Sequence, residues 1–123
     1  MEFFISGKLF NPLNGSHGHW AVSSQERRRW RFNTRLAYME AVPVVERTAY
    51  TKHVMAPKRV TLQAHTWNRM DTDGLAASLK SVRDALIDCG LIHSDDIVSG
   101  HTFDYQQVID RKRRGVTVTV ELA

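Results

Sequence analysis

The sequence predicts an α+β fold, a single domain with a mixed β-sheet and helices packed on one face, in the order β-α-(α)-β-α-β-β. Three observations predict it. Arg59–Trp67 and Val116–Leu122 alternate apolar and polar residues with a period of two, the signature of half-buried strands. Two longer segments carry apolar residues at helical spacing behind capping residues. Strand-like and helix-like stretches interleave along 123 residues, a length suited to one domain spanning 1–123.

Residues 2–10 read as a first strand, ended by Asn11-Pro12, and a turn-rich loop follows up to Trp20. Ser23-Ser24-Gln25-Glu26 is a capping-box pattern and predicts a helix from about Ser24 to Ala41, with Phe32, Leu36 and Met39 as its core stripe. Pro43 ends or kinks that helix and suits the opening of a second one over Val44–His53. The next strand, Arg59–Trp67, turns Val60, Leu62, Ala64 and Thr66 to one face. Asp73 is placed to cap a helix that buries Leu75, Leu79, Val82 and Leu86 and stops at Gly90. The second half of Ile97–Ile109 is strand-like. Val116, Val118, Val120 and Leu122 then form a last strand, which makes Arg111–Gly115 a hairpin tip.

Charge is partitioned along the chain. Residues 1–70 hold 11 Lys and Arg against 4 Glu and no Asp, a balance of +7. Residues 71–110 hold Lys80 and Arg83 against eight Asp, a balance of −6, and residues 111–123 return to +3. Basic flanks around a carboxylate-rich window suit a polyanion binder that also holds a divalent cation. The one cysteine, Cys89, excludes an internal disulfide and a Cys-based zinc site. No apolar run approaches the roughly 20 residues of a membrane span. The first residues lack a basic region before an apolar stretch. A cytoplasmic protein without a membrane partner is the expectation.

Asp71-Thr72-Asp73 falls where a strand ends and a helix begins, and Asp95-Asp96 lies just beyond that helix. Two carboxylates one residue apart converge on a hard cation when the backbone between them turns, and an oxygen-only set favours Mg²⁺ or Mn²⁺ over zinc. Without a cation, converging carboxylates repel and raise their own pKa values. The ordinary reading of the same residues is one helix cap, one turn residue and a polar loop. An EF-hand is excluded because Leu75 and Val82 stand where ligands are needed. A haloacid-dehalogenase phosphatase would end a buried apolar strand in this motif, whereas Asn68-Arg69-Met70 is largely polar.

The ordered run Arg69-Met70-Asp71-Thr72-Asp73-Gly74-Leu75, Leu79-Lys80, Asp84-Ala85-Leu86, Gly90 and Asp95-Asp96 resembles the RusA family of Holliday junction resolvases. Pro12, Asn14 and Trp20 are similar to that family's N-terminal loop. The resemblance covers about thirty residues closely and the remainder in length, basicity and element order. It implies a homodimeric, Mg²⁺-dependent endodeoxyribonuclease, with Mn²⁺ able to substitute, that cleaves branched DNA such as four-way junctions in recombination and repair. It also implies Asp71, Asp73 and Asp96 as metal ligands, Asp95 as a less critical neighbour, and Lys80 as the catalytic lysine. Two departures stand out. Gly74 occupies the place of the family's asparagine, and Lys80 lies about three residues further along the helix than the family's lysine, where Ala77 stands. Three residues are nearly one helical turn, so positions 77 and 80 share roughly one face.

Arg27, Arg31 and Arg35 recur every fourth residue, with Arg28 beside them, and could track a DNA backbone. Arg111, Lys112, Arg113 and Arg114 offer a second phosphate grip, or simply charges that discourage edge-to-edge strand pairing. Asn14, His17 and Arg69 join the expected DNA-binding set through the resemblance. The remaining histidines are read as surface or half-buried groups, Cys89 as a small core residue, and Trp30 and Trp67 as packing residues.

Overall fold

The computed structural model describes residues 1–11 and 20–123. Its elements are β1 (Glu2–Ser6), α1 (Trp20–Ala41), α2 (Val44–Lys52), β2 (Lys58–Thr66), α3 (Thr72–Asp88), a 3-10 turn (Ile97–Ser99), β3 (Thr102–Ile109) and β4 (Gly115–Leu122). The strands form one mixed sheet in the order β1-β4-β2-β3. β2 runs parallel to β3 and antiparallel to β4, and β4 runs antiparallel to β1. This is the α+β single-domain architecture, and the element order, that the sequence predicts.

Strand alternation decides which face is covered. Phe3 and Ile5, Val60, Leu62 and Ala64, and Val116, Val118 and Val120 are buried, with the helices packed over them. Thr61, Gln63, His65, Thr117 and Thr119, on the opposite parity, form a half-buried polar face. α3 buries Leu75, Leu79, Val82 and Leu86, the predicted set. It stops where expected: Gly90 takes φ +76°, the left-handed conformation that glycine adopts most readily.

Four expectations are corrected. Arg111–Arg114 is not a hairpin tip, because β2 lies between β3 and β4 and the segment crosses over its end. β2 takes the centre because its inward face is buried along its whole length, with Val60, Leu62 and Ala64 in the middle, whereas β3 has no buried residue and suits an edge. The helix cap belongs to Asp71, whose Oδ1 accepts from the Gly74 amide at 2.8 Å, and Asp73 stands in the first turn. α1 begins at Trp20, so Ser23 lies inside it, and Glu26 pairs with Arg29 at 3.3 Å.

The core stripe of α1 is the fourth correction. Phe32, Leu36 and Met39 are 57%, 45% and 59% exposed, and the buried face is Trp30, Thr34 and Tyr38. Both sets have helical spacing. The second wins because the interior satisfies its polar atoms: Trp30 Nε1 donates to the Lys8 carbonyl at 3.2 Å, and Thr34 Oγ1 to the Trp30 carbonyl at 2.6 Å.

The topology also fixes where the loops emerge. β1 and β2 both oppose β4, and β3 follows β2, so β1, β2 and β3 all point the same way. Gly115 pairs with both Ser6 and His65, which puts the start of β4 at the same edge. Gly7–Asn11, Trp67–Asp71 and Asp110–Arg114 therefore leave the sheet together.

Candidate functional site

The loops that leave β1, β2 and β3 emerge at one end of the sheet. Here they are tied to one another. Gln107, on β3, clamps the loop before Asp71: the Met70 amide donates to its Oε1 at 3.0 Å, and its Nε2 donates to the Met70 carbonyl at 2.8 Å. The Gly7 amide donates to the Arg114 carbonyl at 3.1 Å, and the Asp110 amide to the Thr66 carbonyl at 2.9 Å. Asp110 itself accepts from the Lys112 and Arg113 amides, which hold its carboxyl below the usual carboxylate range.

The result is a cleft of about 280 Å³ lined by Lys8, Asn11, His65, Trp67, Arg69 and Arg114 among others, with Met70 leading directly to Asp71. Three of its lining residues are cations, and none is acidic. Arg114 lies with its guanidinium 4.7 Å from the Trp67 ring centre, and Arg113 lies 3.6 Å from that of Phe4. Guanidinium groups stacked on rings are held in place yet keep their N–H edges available to phosphate.

Asp71 and Asp73 are exposed at the N-terminus of α3, beside this cleft. Gly74 is explained by the same corner. A Cβ there would stand 2.6 Å from Asp71 Oδ1 and 2.7 Å from Asn11 Nδ2. The carboxamide of Asn11 fills the space that a side chain at 74 would need, so an amide is present beside Asp71 even though residue 74 carries none.

Asp95 and Asp96 are engaged elsewhere. Asp95 accepts from Arg83 at 2.7 Å, and that hydrogen bond holds its carboxyl below the usual range. Arg83 also bonds to the Tyr105 hydroxyl and lies 5.0 Å from the Phe103 ring centre. Asp96 caps the 3-10 turn, its Oδ1 accepting from the Ser99 amide at 3.1 Å. Among the described residues, no three Asp, Glu, His or Cys side chains stand close enough to share a cation. Asp96 is thus not gathered with Asp71 and Asp73. Asp71 and Asp73 are the residues that could offer Mg²⁺ the one or two carboxylates it characteristically takes beside waters and phosphate.

Lys80 is exposed and pairs with Asp84 at 3.6 Å along α3. Of the arginine stripe, Arg31 grips Asp88 through both Nε and Nη2, with distances of 2.9–3.1 Å, so it is occupied within the protein. Arg27 and Arg35 are exposed. Arg111, Lys112, Arg113 and Arg114 are exposed on the crossover. Asn14 and His17 lie outside the described residues. Lys8, Asn11 and Trp67 were not among the expected site residues, and Trp67, 48% exposed, is not buried packing as Trp30 is. Strand parity carries a signal for Trp67: it falls on the odd positions of β2, opposite the buried even ones.

Fold and site together define an α+β domain with a cationic cleft beside an exposed carboxylate pair. No protein-family model matches the chain, and no curated protein matches it. Among the described residues no helix is long and apolar enough to cross a membrane.

Proposed function

We propose that this protein is a Mg²⁺-dependent, structure-selective endodeoxyribonuclease that cleaves branched DNA such as Holliday junctions, as its resemblance to the RusA family implies. The observation that carries the reading is the shared edge of the sheet: three strand ends deliver Lys8, Arg69 and Arg114 to the cleft that leads into Asp71 and Asp73. Cations there neutralise backbone phosphate, and the carboxylates lie where a metal-bridged phosphate would arrive. A bound Mg²⁺ would lower the pKa of water and offset the charge that develops on the phosphate.

The protein's own groups do the rest. Asp71 and Asp73 hold the cation, Asp71 oriented by the Gly74 amide. Lys80, released from Asp84, neutralises charge on the scissile phosphate or leaving oxygen. Arg27, Arg35 and the Arg111–Arg114 crossover fix the register of the flanking DNA.

The homodimer belongs to the same proposal. Phe32, Leu36 and Met39 form an exposed apolar stripe, continued in sequence by exposed Val44 and Val45 on α2, and such stripes mark interaction surfaces. α1 is basic over Arg27–Arg31 and neutral over residues 32–41, where Arg35 and Glu40 balance, so two copies crossing antiparallel keep their basic ends apart. Two sites related by that axis would nick opposed strands.

The test is a four-way junction incubated with the protein in Mg²⁺, beside a linear duplex of the same sequence. Paired nicks near the branch, absent from the duplex and abolished by EDTA, are expected. Cleavage that survives EDTA overturns the metal-dependent reading. A second reading is a DNA-binding protein of this fold without catalysis. It is favoured by the engagement of Asp95 with Arg83 and of Asp96 with Ser99. Junction binding without nicking selects it.

A further inference from the structure

Trp67 holds Arg114 in the cleft, and its remaining exposed surface is what phosphate binding does not explain. It directly follows β2 on the outward parity, 48% exposed, at the start of the Trp67–Asp71 loop. Arg114 contacts its ring, and Lys8 and Arg69 line the same hollow. An indole half open to solvent, surrounded by cations and free of acidic neighbours in the lining, offers a stacking plane and phosphate partners within one cavity.

Size narrows the ligand. At about 280 Å³ the cavity lies at the lower end of ligand-pocket volumes, roughly 300 Å³. That seats one nucleotide and not a duplex. The bases of a duplex are already stacked on each other and present only their edges, so an indole platform is useful only to a base that has lost its neighbours. Asn68 in the lining can address such a base through its edge, while Lys8, Arg69 and Arg114 take its phosphate.

We infer that Trp67 is a stacking platform for an unpaired nucleotide, seated in the Lys8/Arg69/Arg114 cleft directly before Asp71. This deepens the nuclease reading and rests on it for its biological setting. It supplies a physical basis for choosing branched over unbroken duplex DNA: stacking is interrupted at a branch point, so a base there is more easily unstacked beside a duplex phosphate. Stacking of one base on an aromatic side chain is an appreciable affinity term and tolerates any base. The platform therefore selects for structure and not for sequence.

Single-strand binding needs no catalysis, so the experiment is run in EDTA. The probes are a short oligothymidylate and a fully paired duplex of equal length, at one salt concentration. The unaltered protein is expected to bind the oligothymidylate with quenching of indole fluorescence. Trp67→Ala and Trp67→Leu should each weaken that binding about tenfold or more and leave duplex affinity within twofold. Trp67→Phe should restore most of it. Leucine keeps the apolar bulk, so its loss cannot be laid to unfolding, and each variant's melting temperature is measured beside its affinity. Equal weakening for both probes, an unchanged affinity in the leucine variant, or no oligothymidylate binding by the unaltered protein overturns the inference. The two readings separate cleanly. Trp67-dependent single-strand binding without junction nicking keeps the platform and removes the nuclease, and nicking with Trp67-independent binding does the reverse.

Discussion

Where β2 and β3 begin, Lys58 is wholly buried and its amide and ammonium are bound within the protein; where they finish, Lys8, Arg69 and Arg114 line an open cleft. At the closed end Lys58 Nζ donates to the carbonyls of His53 at 2.5 Å and Ala56 at 3.2 Å. Its amide donates to His101 Nδ1 at 3.2 Å, which leaves the proton of the neutral ring on Nε2 to reach His93 Nδ1 at 3.0 Å. The Ala123 amide closes onto the Pro57 carbonyl at 3.1 Å. At the open end the loops bind one another mainly through their backbones, and the cationic side chains remain for a ligand. The same residue types thus serve stability at one end and, under the proposed function, recognition at the other. The deciding factor is whether the chain supplies their partners.

The largest effect expected from breaking this contrast is at the open end. Asp71→Asn and Asp73→Asn should each lower Mg²⁺-dependent junction nicking by a hundredfold or more while binding holds or tightens, since a negative charge beside phosphate is removed. Asparagine caps helices as well as aspartate, so Asp71→Asn should melt within about 0.5 kcal/mol of the unaltered protein, which separates metal binding from capping. Asp96→Asn likewise preserves its 3-10 cap, and a hundredfold loss there would show that Asp96 joins the pair when cation and DNA are bound.

Lys58→Met should do the opposite. It strands the His53 and Ala56 carbonyls and should destabilise by about 1–3 kcal/mol in denaturant melts, with the nicking rate of the folded protein unchanged. A drop in rate without a drop in stability would break the division between the two ends.

Lys80→Ala should slow cleavage about tenfold with junction affinity little changed, because an interaction made mainly in the transition state moves rate more than binding. Its loss from the Asp84 pair should shift stability by only a few tenths of a kcal/mol. An unchanged rate would assign Lys80 to Asp84 alone.

Salt dependence sharpens the comparison among arginines. Arg69→Ala and Arg114→Ala should each reduce the log–log slope of DNA affinity against salt by about one. Arg31→Ala should leave it unchanged, since Arg31 already holds Asp88.

The smallest effect is a pH dependence at the closed end. Burial, with the nearby His93 and Lys58 charges, pushes the His101 pKa down. Above its unfolded value near about 6.5, His101 is neutral in both states and its contribution is complete. As pH falls below that value the unfolded chain takes up the proton first, so stability is lost until the lower folded pKa is passed. His101→Asn, with a carboxamide oxygen to accept the Lys58 amide, should flatten the fall in melting temperature between pH 7.5 and 5.5.

Local patterns carried much of the fold. The face that α3 buries, its stop at Gly90, the alternation of β2 and the α+β class all follow from periods and backbone preferences that act within a few residues. Asp71 and Asp73 were legible as a pair for the same reason, and Trp67 could have been read from strand parity. What the local pattern could not decide was every choice between two locally equal options. α1 carries two stripes at helical spacing, Phe32/Leu36/Met39 and Trp30/Thr34/Tyr38, and packing against β1 and α3 selected the second. Arg111–Arg114 suits a hairpin tip or a crossover equally well until β2 claims the centre of the sheet. Asp71 and Asp73 both suit a cap, and the closeness of Asn11 to Gly74 comes from a segment more than sixty residues away. The sequence by itself determined the class and order of the strands and helices and which carboxylates stand beyond β2, although β1 ends at Ser6 and not at residue 10, and α1 starts at Trp20. The tertiary structure alone decided that three parallel strand ends bring Lys8, Trp67, Arg69 and Arg114 beside them, because strand order is set by long-range pairing that no local period encodes.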